Sequence, residues 1–165
     1  MIARIPPQRL FVYGTLCDRD LFAAVSGRPL TEFRPIPARA PNTRTSLAAD
    51  EAVPLLRRGG ATTRGLLLRR IDSETWRRIR FYEDDAYRLR PVRLLIRRDI
   101  NMIAHAFWPK PATKCLFQSW SFREWQRVSK PRALVAARQF MEYLDAPPGT
   151  DLTQAWRDIQ EQASA

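Results

Sequence analysis

The chain is poor in cysteine, histidine, glycine and lysine, has no long apolar run, and each shortage excludes a class of protein. Cys17 and Cys115 lie far apart and match no metal-ligand spacing, so they read as two reduced thiols rather than a disulfide framework. The one imidazole, His105, has no carboxylate near it in sequence, which leaves too few ligands for a metal site and no marked base for a Cys17 nucleophile. No stretch approaches the ~20 apolar residues that span a bilayer, and the short run Leu10 to Tyr13 behind Arg4 and Arg9 does not make an export signal. The glycines form neither a Walker A loop nor a dinucleotide fingerprint. No metal, no cofactor and no membrane contact are expected, and the thiols fit a cytoplasmic protein.

The basic residues are plentiful and uneven in kind. Of 28 of them, 25 are arginine, and the formal net charge is +11. A charge of that size invites a nucleic-acid reading through phosphate neutralisation. The arginines are spread along the chain in pairs such as Arg57-Arg58, Arg69-Arg70, Arg77-Arg78 and Arg97-Arg98, without a dominant block, so nucleic acid is not the expected partner. With 45% hydrophobic residues over 165 positions, the chain is long enough for one hydrophobic core without staples.

Strand signals fill the first two-thirds and helix signals the rest. Leu10-Phe11-Val12-Tyr13 reads as a buried strand stopped by Gly14, and Leu21 to Val25 as a short helix with Asp18 or Asp20 at its start and Gly27 at its end. Phe33 to Leu56, with Pro35, Pro37, Pro41 and Pro54, reads as short edge strands and loops, and Gly59-Gly60 as a turn. Gly65 to Leu68 suits a strand buried on both faces. Asp72 caps a helix from about Ser73, in which Trp76, Ile79 and Glu83 share one side. Arg88 to Ile96 and Ile103 to Trp108 form a hairpin turned at Asp99-Ile100-Asn101. Ser121 to Glu124 is a capping box, Pro131 separates two helices, and Pro147-Pro148-Gly149 precedes a last helix from about Asp151, with Leu152, Ala155, Trp156 and Ile159 on one face. Trp120, Trp125 and Trp156 have core-like helical spacing. The class is α+β, with a domain over 1–146 and a C-terminal helical extension over 147–165.

Leu10-Phe11-Val12-Tyr13-Gly14-Thr15-Leu16 resembles the opening signature of the γ-glutamylcyclotransferase-like (AIG2-like) family. A second signature follows in order: Gly65-Leu66-Leu67-Leu68, the Ile71-Asp72 helix start, then Phe81-Tyr82-Glu83 with Tyr87 and Val92. Val53-Pro54-Leu55, Ala106 to Pro109 and Trp120 to Trp125 extend the likeness, which runs from Leu10 to about Leu144. The chain departs from the family pattern at Asp84, where glycine is usual, and at Leu89, where arginine is usual. The resemblance implies a small barrel-like mixed β-sheet flanked by helices. It further implies an enzyme that closes a γ-glutamyl amide, peptide or amine on itself to release 5-oxoproline, with Glu83 as general acid/base and Tyr13, Gly14, Thr15, Leu16, Pro54 and Tyr87 around the substrate.

The residue types suit that chemistry. When nucleophile and electrophile belong to one substrate, the protein has mainly to hold the bent conformer and move a proton, and one carboxyl serves both transfers. Burial beside Phe81, Tyr82 and Tyr87, with Asp84 and Asp85 adjacent, would raise the pKa of Glu83. Gly14 lets the backbone approach a ligand and present amide hydrogens, and Thr15 adds a hydroxyl. Alternatives are an amidohydrolase or acyl transferase on the same scaffold, a non-catalytic metabolite-binding protein, and a basic-surface interaction protein. The sequence leaves the oligomeric state open.

Overall fold

In a computed structural model of the chain, residues 5–49, 52–83, 86–97 and 100–164 are described. The strands are β1 (Arg9–Val12), β2 (Ile36–Ala48), β3 (Pro54–Arg69), β4 (Tyr87–Ile96), β5 (Ile100–Pro109) and β6 (Cys115–Ser119). The helices are α1 (Arg19–Ser26), α2 (Ser73–Glu83), α3 (Phe122–Val128), α4 (Lys130–Met141) and α5 (Leu152–Ser164). Neighbouring strands run β3-β1-β5-β4-β2, and a further β2–β3 ladder closes the ring, with β6 added outside on β2. Five strands thus form a closed barrel. It is mixed, because β1 lies parallel to β5 while every other pairing is antiparallel.

A five-stranded barrel has a narrow interior, and small side chains answer that constraint. Ala38, Ala40, Ala104 and Ala106 line it beside Phe11 and Leu67. The alternate residues of β1, Leu10 and Val12, face outward and meet Leu68, Phe107 and the apolar sides of α1 and α2. A smaller cluster joins Phe140 of α4 to Ile159 of α5, with Phe81, Tyr82 and Trp156 packed against it.

Two readings of the sequence are corrected here. The proline-rich stretch is not a set of short edge strands: β2 is thirteen residues long and pairs with β3 from Ile36↔Leu67 to Leu47↔Pro54. Pro37 and Pro41 stand two residues either side of Arg39, whose pairing with Leu95 is the one registered contact to β4. Lacking N–H groups, they limit that seam while the β3 ladder continues. Gly59-Gly60 is not a turn either, since β3 runs straight through it. The register slips between Pro41↔Thr62 and Thr43↔Arg58, so three residues of β3 face Asn42, whose φ is 56°. The glycine pair bends a long strand around the barrel instead of reversing it.

The helix boundaries follow their capping chemistry. Asp18 accepts from the amides of Asp20 and Leu21, and Gly27 ends α1 at φ 75°. At α3 only half of the expected capping box forms. Ser121 Oγ accepts from the Glu124 amide, but the Glu124 carboxylate pairs with Arg127 at 2.7 Å. β6 had no clear sequence signal; its side chains are mostly exposed, so no apolar alternation marks it. Asn101 lies within β5, and Asp99, expected to lead the turn, falls outside the described residues.

Candidate active site

β1 delivers its last residues to the rim of the barrel. Leu10, Phe11 and Val12 are buried, and past them the Tyr13 hydroxyl donates to the Phe107 carbonyl at 2.6 Å, tying the strand exit to β5. Gly14 then passes so close to β3 that a Cβ there would lie 2.3 Å from Pro54 Cγ, so no larger residue fits. A 3-10 turn over Thr15–Cys17 follows. Its own hydrogen bonds use the amides of Cys17 and Asp18, leaving those of Thr15 and Leu16 outside the turn's bonding.

A second element brings a carboxyl to the same place. Asp72 starts α2 by accepting from the Thr75 amide and hydroxyl, and Trp76 and Ile79 anchor the helix in the core with no exposure. Their spacing carries Glu83 around the same side to the helix end, beside the bend at Gly14. Both groups line one cavity of about 180 Å³. That is smaller than the ~300 Å³ of drug-sized sites.

Burial dominates the electrostatics of the cavity. Glu83 has no ion-pair or hydrogen-bond partner among the described residues, and burial raises its pKa to about 8. Burial thus favours the protonated form of this carboxyl. Burial, and after it the charge of Glu83, push the Tyr13 phenol well above its ordinary range. The surroundings are largely apolar. Tyr82 and Tyr87 flank the Glu83 segment in sequence, and Phe107, Phe140, Leu152 and Trp156 line the cavity with them. Phe140 meets Phe81 at 4.9 Å between ring centroids and Trp156 at 5.0 Å, which docks α5 over the cavity.

All seven residues singled out in the sequence, Tyr13, Gly14, Thr15, Leu16, Pro54, Glu83 and Tyr87, border this one cavity. Asp84 and Asp85 lie outside the described residues. Leu89, where the family has arginine, is partly buried against the core, and no basic residue stands among the described lining. The contribution of Phe107, Phe140, Leu152 and Thr153 was not anticipated. Trp156 was expected in the core and instead lines the cavity half-buried. Cys17, next to the bend, donates from Sγ to the Val12 carbonyl, and burial pushes its thiol up to about 12, so it is not a ready nucleophile near neutral pH. His105 sits in β5 opposite Pro91, away from the cavity.

Residues 10–127 match the family described as Gamma-glutamyl cyclotransferase, AIG2-like. Curated proteins give no match to the sequence. Among solved structures, a protein of Arabidopsis thaliana is 19% identical, over 87% of this chain and 96% of its own, with a TM-score of 0.56. A second Arabidopsis thaliana protein is 15% identical over 92% of each chain, with a TM-score of 0.57. A structure described as gamma-glutamyl cyclotransferase is 9% identical over 95% of this chain and 99% of that one, with a TM-score of 0.54. At such identities the likeness to these structures is one of fold. The family match spans well over half of the sequence, from the strand before the glycine bend to the first C-terminal helix, and the chain belongs to the gamma-glutamyl cyclotransferase, AIG2-like family.

Proposed function

We propose that the protein converts a γ-glutamyl amide into 5-oxoproline and a free amine, with Glu83 as the proton carrier. The observation that supports this reading is the shared cavity: the half-buried Glu83 and the residues of a glycine bend line the same space of about 180 Å³. In the reaction the α-amine nitrogen attacks the γ-carbonyl carbon of the same molecule, a ring C–N bond forms, and the original amide C–N bond breaks. Glu83 takes the proton released by the attacking nitrogen and returns it to the departing one, so no water is consumed. Tethering the nucleophile supplies most of the entropic advantage, and the cavity selects the folded conformer.

Roles for the remaining residues follow from their positions. The Thr15 and Leu16 amides and the Thr15 hydroxyl are donors for the substrate carboxylate or the developing oxyanion, in a lining that offers no guanidinium among the described residues. Gly14 against Pro54 holds that bend in place. Tyr13 has committed its hydroxyl to Phe107 and acts as a wall. The departing amine leaves toward Phe140, Leu152 and Trp156, an apolar surface that favours an uncharged, apolar amine over a second ammonium or carboxylate.

The test is product analysis in ¹⁸O-labelled water with γ-glutamyl amides of apolar and of charged amines. The proposal expects unlabelled 5-oxoproline in equal amount to the amine, faster from the apolar series. Labelled glutamate would identify an amidohydrolase on the same scaffold, and saturable binding without any product would leave a metabolite-binding protein.

A further inference from the structure

A second depression lies at the other end of β1, independent of the proposed reaction. It has room for about 520 Å³ and is bordered by Gln8, Arg9, Glu32, Phe33, Arg34, Arg69 and Arg70. Four arginines thus border one opening. Arg9 of β1 and Arg69 of β3 are directly opposite in an antiparallel ladder, where like charges repel. Arg34 follows a 3-10 turn over Leu30–Phe33 and Arg70 follows β3, with φ of 47° and 58°, a left-handed conformation that arginine rarely adopts.

Among the described residues no internal counter-charge answers this cluster. Glu32 is the only acid among the described residues of the opening, and its carboxylate is already engaged by both Nε and a terminal nitrogen of Arg28, which also binds Asp72 at 2.6 Å. Arg9, Arg34, Arg69 and Arg70 have no ion-pair partner among the described residues. A surface that merely tolerated a basic composition would spread such groups apart, whereas here repulsion and unfavourable backbone conformations coincide in one concave place. We infer that this depression is a binding site for a small polyphosphate anion, such as a triphosphate chain, whose charge exceeds what one or two guanidiniums can answer. Planar guanidinium groups suit phosphate oxygens by paired N–H donation, and Gln8 adds an amide donor at the rim.

The experiment is calorimetric titration of the full chain with inorganic tripolyphosphate at ~150 mM salt, where unspecific surface attraction is screened. One-to-one saturable binding is expected. Arg69→Gln with Arg70→Gln should weaken it at least about tenfold, while Arg58→Gln with Arg64→Gln, which removes the same charge from exposed positions of β3 away from the opening, should leave it unchanged. In addition, Arg9→Gln should raise the Tm of the unliganded protein by relieving the repulsion, and tripolyphosphate should narrow that difference. Absence of saturable binding, equal loss in both double variants, or equivalent binding of DNA through all exposed arginines would overturn the inference.

Discussion

Glu83 carries a stability cost that its proposed role explains. Its carboxyl ionises near 8 in the folded protein against ~4.3 in an unfolded chain, so between those values the folded state holds the extra proton. Stability contributed by the wild-type residue therefore declines as pH rises from about 4 to about 8. Glutamine does not titrate, and Glu83→Gln should gain stability relative to wild type across that window, on the order of a few kcal/mol at its alkaline end. Thermal unfolding of both proteins at pH 5 and pH 8.5 checks this; a constant difference would mean the carboxyl is solvated. At Gly14 the constraint is steric. Gly14→Ala places a carbon 2.3 Å from Pro54 and should cost about 1–3 kcal/mol by denaturant titration, with a fall in turnover as the bend shifts. The position of Glu83 was legible because helical spacing from Trp76 and Ile79 and the order of two short signatures both pointed to it. Its surroundings were not, since Phe140 and Trp156 reach it only through long-range docking.

At the scale of elements, α1 is tied to the C-terminal helices through one buried acid. Asp18, 2% exposed, caps α1, accepts from Gln126 of α3 at 2.8 Å and pairs with Lys130 of α4 at 2.9 Å. Burial opposes its ionisation, but hydrogen bonds from Gln126, Lys130 and the Leu21 amide outweigh it and hold the carboxyl below its ordinary range. Asp18→Ala should cost about 2–3 kcal/mol near neutral pH. Because the folded pKa is depressed, that contribution is present above ~3.9 and is lost as pH falls below it, so the two unfolding curves should converge in acid. The capping role of Asp18 was readable from its place before an apolar helix. β2 was misread because prolines count against a strand only where their missing N–H is needed, and one sequence does not reveal which edge is idle. For α5, the apolar face was visible but not what it covers. Trp156→Ser would admit water beside Glu83 and should move the acid limb of the kcat/KM profile from near 8 toward the ordinary carboxylate value. An unmoved limb would show that α5 does not set the polarity of the site.

For the whole molecule, closing the barrel brings distant parts of the chain together. The ends of β1 and α2, Val12 and Glu83, are far apart in sequence, yet β1 pairs with both β3 and β5, and α2 packs across that same surface. The α+β class was visible in the order of signals, while closure through the β2–β3 ladder depended on the family resemblance, because periodicity does not say which strands meet. The basic residues behind the net charge of +11 are distributed over strands and helices alike, leaving the small cavity with Glu83 as its single titratable carboxyl among the described residues. The central claim is that this carboxyl moves the proton during ring closure. It is tested most directly by comparing 5-oxoproline release from an apolar γ-glutamyl amide by wild type and by Glu83→Gln, each verified as folded. The account predicts formation by wild type and a loss of roughly 10²–10⁴-fold in the variant. Undiminished release by Glu83→Gln would contradict it.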